Sequence, residues 1–595
     1  MARRRGAGSD AYTFDLEPDG DEGDDAAAEV RATRPATGRA TRQGTRRATR
    51  RGTPWTTGSA GPLLIDLDPA DDVDAAELPL AETGGLTLRQ AAERARGFLR
   101  GRRLVAAVVV VAAALTAVVV DGVGDRGRLA ALRDAPGGVL DLTDEPREVW
   151  RVPTEGSAPG GLVGVLGGLV VAQQRSALLG LDVETGARVW SVDLPDGSTT
   201  CGPGMQVWSG DFQPEPAERV VCVSGTPDGA QDGRPRSTVT VVDAEGSVVG
   251  TRDVGFTSTM AFPGPDGGLL TAAWVGDAAP VDPLVADEVA AGVAHAGAIP
   301  DGYDLRVRLE DGATGKVRWE RTLPFDAAVD PAMCVRWGED GTTSGVDLRG
   351  GVQVSVTDRV VWLGGCGVDA WFTPDGVRLD RPQDPGTFEG FSVEPLATGG
   401  YVAGVDADLL GGRDPESPDR LLRDDGSEQR ELRGRYLVPL STDGGGDGVV
   451  LERRGDATVA TDADGDELWS TAVKGSSLLV RTAQVAVVVD EGRRVHGLDM
   501  GTGEVLWTRP DLVEGVEGLG AYGPRFVEAA FTDGRLAAFV VPDYARGDVV
   551  HWVALDAATG RQLWQLELGG DGWGIQLAVA GRLVRWSPTA IVGLG

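Results

Sequence analysis

The chain has 595 residues, too many for one compact core, so it is either multidomain or a repeat array. Gly 88 and Pro 34, beside only 6% aromatic residues, favour short strands and tight turns over long helices. The net charge of -33 lies wholly beyond residue 103, because the residues up to there hold 17 Arg against 17 Asp plus Glu; an acidic surface of that kind excludes nucleic acid as its partner.

In chain order, residues 1–88 alternate acidic blocks with the run RATRPATGRATRQGTRRATRRGT and keep no apolar period, which predicts a disordered tail. Its eight Arg from Arg31 to Arg51 suit an anionic lipid or a nucleic acid, and Thr49 behind Arg46 and Arg47 suits a kinase; solvated disorder is the plainer reading. Residues 89–103 form a basic juxtamembrane segment with Arg94, Arg96, Arg100, Arg102 and Arg103. From Leu104 to Val120 there is no charge and only Thr116 is polar, so 104–123 is predicted to cross a membrane of about 30 Å as a helix. Its Arg-rich side stays in the cytoplasm. The expected topology is single-pass in the cell membrane, with the N-terminus cytoplasmic, a linker over 124–146 and an extracytoplasmic domain over 147–595.

One phrase then recurs. It reads LDVETGARVW at 181–190, LDMGTGEVLW at 498–507 and LDAATGRQLW at 555–564, with EDGATGKVRW at 310–319 and weaker copies at 241 and 460. A strand ends at Leu-Asp, a Thr-Gly turn reverses the chain, and the next strand carries Trp four residues after the Gly. Two short strands precede each copy, so the unit is four antiparallel strands, a propeller blade that must stack on its neighbours to bury its two apolar faces. At the ends of the domain, PREVWRVP around Trp150 looks like a last strand without a blade, while IQLAVA, GRLVRWSP and TAIVGLG look like three strands lacking a fourth. The N-terminal strand is expected to complete that C-terminal blade.

Over residues 147–595 these repeats resemble the pyrroloquinoline-quinone (PQQ) enzyme-like propellers, a group holding both quinoprotein alcohol dehydrogenases and a non-enzymatic lipoprotein of outer-membrane barrel assembly. The resemblance implies an all-β fold of eight four-stranded antiparallel blades, within a range of seven to nine. It also implies that the last-strand Trp docks on the adjacent blade, a place matched by Trp190, Trp319, Trp469, Trp507 and Trp564, with Trp150 in the closing strand. Last-strand candidates near 150, 190, 252, 319, 380, 431, 469, 507 and 564 would make nine, and the stretch between 380 and 469 is the most degenerate.

Cys201, Cys222, Cys334 and Cys366 form two near pairs on the exported side and are expected as two disulfides. A metal site is the poorer reading, since there is no CxxC and His295, His496 and His551 lie far apart in sequence. Members of this group that are quinone enzymes use a calcium site of Glu, Asn and Asp and a pair of adjacent Cys. This chain has no Asn and no adjacent Cys, so no catalytic, cofactor-binding or metal residue is assigned and no cofactor is expected. GLGAYG at 518–523 precedes a strand pattern where a dinucleotide site needs a helix, and DADGDE at 462–467 falls where a blade turn belongs. Insertions at 276–302, with a possible helix inside the third blade, and at 324–349, with Met333, Cys334 and Trp337, read equally as a partner or ligand site or as plain decoration of the propeller face. The expectation is a membrane-anchored, non-catalytic binding or scaffold propeller that meets a protein or cell-envelope partner through its loops. The alternative is a quinone-dependent dehydrogenase, or a ligand-sensing propeller signalling to the cytoplasmic tail.

Overall fold

The computed structural model describes residues 127–595 apart from 155–160, 196, 204–215, 226–235, 256–258, 293, 296, 338–342, 380–390, 406–417, 447, 514–526, 544–545, 547–548, 570–573 and 588. All of these belong to one compact unit, Ala95–Gly595. The tail 1–88, the basic segment 89–103, the predicted span 104–123 and GLGAYG at 518–523 lie outside the described residues. No helix among the described residues is long and apolar enough to cross a membrane.

The described part is almost wholly β. Nine sheets of the blade type follow one another: six with four strands, two with five and one with three, plus one separate two-stranded hairpin. The first covers Leu162–Asp193, the second Ser198–Gly255, the third Thr259–Leu323, the fourth Gln353–Phe372 and the fifth Phe391–Glu431. The sixth covers Arg435–Thr471, the seventh Gly475–Arg509 and the eighth Ala529–Leu568. In the ninth, Ile575–Val579, Arg582–Trp586 and Ala590–Leu594 are completed by Glu148–Pro153, which pairs antiparallel with Ala590–Leu594. The closing strand is therefore where the sequence places it. The expected eight blades become nine sheets among the described residues, because each weak last-strand candidate, near 252, 380 and 431, has a sheet of its own.

Strands form where β-branched and small apolar residues alternate faces, and both faces are buried: Val170, Val171 and Ala172 are each fully buried in the first sheet. One apolar cluster joins sheets one and nine through Trp150, Val165, Leu181, Leu577 and Ile591. Others join sheets three and four, six and seven, seven and eight, and eight and nine.

Within the expected linker 124–146, residues 127–146 are ordered against the sheets. A helical stretch over 127–134 and the strand-like residues after it are packed onto the domain, with Leu132, Val139 and Leu142 buried. Gly137 and Val139 exchange backbone hydrogen bonds with Thr532, and Leu140 donates to Gly581. Leu142 occupies the place that a third-to-fourth turn would fill in the ninth sheet, where the chain has its two separate strand ends instead. A second irregular piece, Pro439–Thr442, adds a parallel strand to the first strand of the seventh sheet, and Pro216–Ala217 does the same in the first.

Candidate functional site

Because successive strands run antiparallel, the first-to-second and third-to-fourth connections leave each sheet at one end, called the turn end. The second-to-third and sheet-to-sheet connections leave at the other, the loop end. The turn end repeats. Asp182 Oδ1 accepts from the Thr185 amide at 2.8 Å and its hydroxyl at 2.6 Å, and Asp311–Thr314, Asp499–Thr502 and Asp556–Thr559 repeat the pair. The Thr185 hydroxyl and then its amide hold the Asp182 carboxyl below the usual range. A carboxylate used to cap a turn in four sheets is a folding device. DADGDE behaves alike: Asp462 Oδ1 accepts from the amides of Asp464 and Asp466.

The blade Trp side chains meet these turns. Trp150 Nε1 donates to the Val183 carbonyl at 3.0 Å, Trp190 to Ala244 at 3.1 Å, Trp319 to Pro374 at 2.8 Å, Trp469 to Met500 at 2.8 Å and Trp507 to Ala557 at 2.8 Å. Each acceptor follows the residue at the turn's Asp position in the next sheet. Trp564 departs from this pattern, donating to Leu142 at 2.9 Å in the packed segment ahead of the closing strand. A Cβ on Gly503, whose φ is +72°, would lie 2.4 Å from the Trp469 ring, so glycine there lets the ring lie flat.

The loop end carries the two insertions, both leaving the third sheet. Between Val275 and Asp304 stands the helix Pro283–Ala290, started by Asp282, whose side chain accepts from the Leu284 amide. Between Leu323 and Gln353 stand the 3-10 turn Pro331–Cys334 and the hairpin of Val335–Trp337 with Thr343–Val346. The two insertions share a core of Val289, Ile299, Cys334 and Cys366, with Val285, Phe325, Val335 and Val346 packed around it. The disulfide Cys334–Cys366 ties this small module to the fourth sheet, and Cys201–Cys222 joins two directly paired strands of the second. Arg349 lies 4.1 Å over the Tyr303 ring at the module's edge, and Leu284 on the helix is 73% exposed. Nothing is described of the Trp337 side chain.

Sequence reading missed the remaining polar features of the sheets. His496 and His551 occupy third strands of neighbouring sheets, each bound near an Asp that ends the second strand: His496 Nε2 is 3.1 Å from Asp490, and His551 Nε2 is 3.6 Å from Asp543. An Asp shortly before each His was the available signal. His551 also takes a contact of 2.8 Å from Arg546, which binds Glu567. His295 lies apart from both, in the insertion. Burial pushes Glu528, at the start of the eighth sheet, up to about 7. Asp358, in a turn of the fourth, is raised to about 6 by burial and by the nearby carboxylates of Asp266 and Glu218.

The donors present do not fit a quinone–calcium site. No Asn exists, neither disulfide joins adjacent Cys, and among the described residues no three of His, Cys, Asp and Glu gather to hold an ion.

A family model described as the outer membrane protein assembly factor BamB matches residues 136–333 and 429–587. No curated protein matches the sequence. Among solved structures, BamB from Moraxella catarrhalis is similar at 12% identity, covering 76% of this chain and 99% of that one, with a TM-score of 0.32. Quinohemoprotein alcohol dehydrogenase from Comamonas testosteroni is similar at 11% identity, covering 76% of each chain, with a TM-score of 0.28. The computationally designed Ika8 protein is similar at 14% identity, covering 70% of this chain and 98% of that one, with a TM-score of 0.26.

Proposed function

The chain belongs to the family of the outer membrane protein assembly factor BamB, built on PQQ-type propeller repeats, and on that premise we propose a membrane-anchored, extracytoplasmic propeller that binds a protein of the cell envelope without catalysis. The nine sheets are its blades, the strand Glu148–Pro153 closes the ring, and residues 104–123 anchor it.

The observation that carries the reading is the insertion module. Repeat turns suffice to build a propeller, whereas the helix Pro283–Ala290 and the hairpin add a second core that the sheets do not need. A disulfide fixes it in place, and its helix presents Leu284 to solvent.

A photo-crosslinking residue at Leu284, with another at Leu468, also exposed though less so, on an outer strand as control, tests this in intact cells. The expected result is one discrete adduct at 284 and none at 468, its band lost when residues 283–290 are replaced by a short Gly-Ser loop. Adducts of equal yield at both sites, or none at 284, would count against a partner on the module.

A further inference from the structure

Resting on the anchored reading above, we propose that the propeller stands with its turn end against the lipid surface and its loop end, carrying the insertion module, directed away from it. The chain reaches the sheets only through the stretch 127–147, and that stretch is bound at the turn end. Arg128 Nη2 donates to the Asp533 carbonyl at 2.9 Å, in the first-to-second turn of the eighth sheet. The Thr442 amide donates to the Pro136 carbonyl at 2.9 Å, within the first-to-second connection of the sixth. Leu140 donates to Gly581, in the corresponding turn of the ninth. A Cβ on Gly444 would lie 3.2 Å from that of Ala131, so the helical stretch sits close on the sixth sheet's connection.

These contacts make the attachment a mount and not a swivel, since Leu132, Val139 and Leu142 are buried in it and Trp564 donates to Leu142. Only residues 124–126 separate it from the apolar span, and four extended steps from 123 to 127 reach at most about 14 Å. The headgroup layer itself takes up about 5–8 Å on each side. The turn end is therefore held at the lipid surface. Strands of five to eight residues then carry the loop end about 17–26 Å further out.

The test uses the full chain in phosphatidylcholine vesicles that carry nickel-chelating headgroups. All four native Cys are in disulfides, so a nitroxide goes to one introduced thiol at a time. Glu184→Cys, Asp425→Cys and Glu504→Cys report on the turn end, and Asp277→Cys and Asp287→Cys on the loop end. The expected result is several-fold greater nickel relaxation at all three turn-end sites than at both loop-end sites. A flexible Gly-Ser spacer of twenty residues inserted after residue 125 should erase that difference. Protein that resists carbonate extraction but shows equal or reversed relaxation overturns the orientation alone. Protein that leaves the vesicles in carbonate overturns the anchoring and the orientation together.

Discussion

Trp190 and Arg252 lie in the last strands of successive sheets, Arg252 two residues beyond the Trp place, which Gly250 fills, and they make their joints by different physics. The Trp190 indole lies against the glycine of the next turn and donates once, to the Ala244 carbonyl. Arg252 reproduces that bond, Nε to the Gly312 carbonyl at 2.9 Å, and adds a charged pair with Glu310 at 2.7 Å. Arg430, at the Trp place itself, donates Nη2 to the Thr461 hydroxyl at 3.1 Å, and Val377 and Leu379 fill the place between sheets four and five, against Gly426. A Trp joint rests on buried apolar area, which tolerates no substitute of smaller size. An Arg joint rests on hydrogen bonds that water can partly replace. One disulfide lies within the second sheet and the other ends on the fourth, and the outgoing joints of both sheets lack Trp.

The largest effect should come from removing a ring. Trp469→Ala, at a buried site, is expected to cost about 3–5 kcal/mol in urea unfolding, against about 1–3 kcal/mol for Arg252→Ala. Equal losses would break the distinction between the joints. Next, replacing Cys201 and Cys222 together by Ser should cost about 3 kcal/mol, because the bridge closes a loop of 21 residues in a sheet held outward by Arg. A change within error would show that the Arg joint needs no such support.

Gly503→Ala forces a methyl onto the rigid Trp469 ring at positive φ and should cost about 2–4 kcal/mol. Gly465→Ala meets only the movable end of Arg430 and should cost about 1–2 kcal/mol, the backbone share alone. Similar losses would mean that the ring adds nothing to the strain.

The smallest effect is a pH dependence that touches no joint. Glu528 has its folded pKa raised, to about 7, so its favourable contribution is complete below about pH 4.5 and is lost as the pH climbs through 7. Glu528→Gln should flatten melting temperature against pH over that window and stabilise the protein at pH 8 by about 1–2 kcal/mol, less than the roughly 3 kcal/mol so large a shift would carry in full, because the half-buried side chain is screened by water. An unchanged profile would place the carboxyl in water.

The same comparison explains what was legible in the sequence. Trp joints announce themselves, because the turn, the glycine and the ring recur at fixed spacing, and they led directly to the closing strand at Trp150. Arg252 and Arg430 join their sheets from different register positions and without a recognisable letter, so their sheets looked weak and the total came out one short. The helix Pro283–Ala290 and both disulfides could be read from local composition and near pairing. The packed stretch 127–147 could not, since its bonds reach residues hundreds of positions away; the Leu140-Asp141 pair, which repeats the Leu-Asp of the blade turns, was the overlooked clue. The carboxyl of Glu528 and the His–Asp pairs depend on burial and cross-strand partners, which no linear pattern encodes.

The central claim is that the two ends of the domain form one sheet, and amide hydrogen exchange on the intact protein tests it most directly. The account predicts that the amides of Trp150 and Val152, which face the partner strand, exchange as slowly as those of 590–594, while that of Arg151, on the outer edge, exchanges faster. Fast exchange at Trp150 and Val152 beside slow exchange over 590–594 would contradict it.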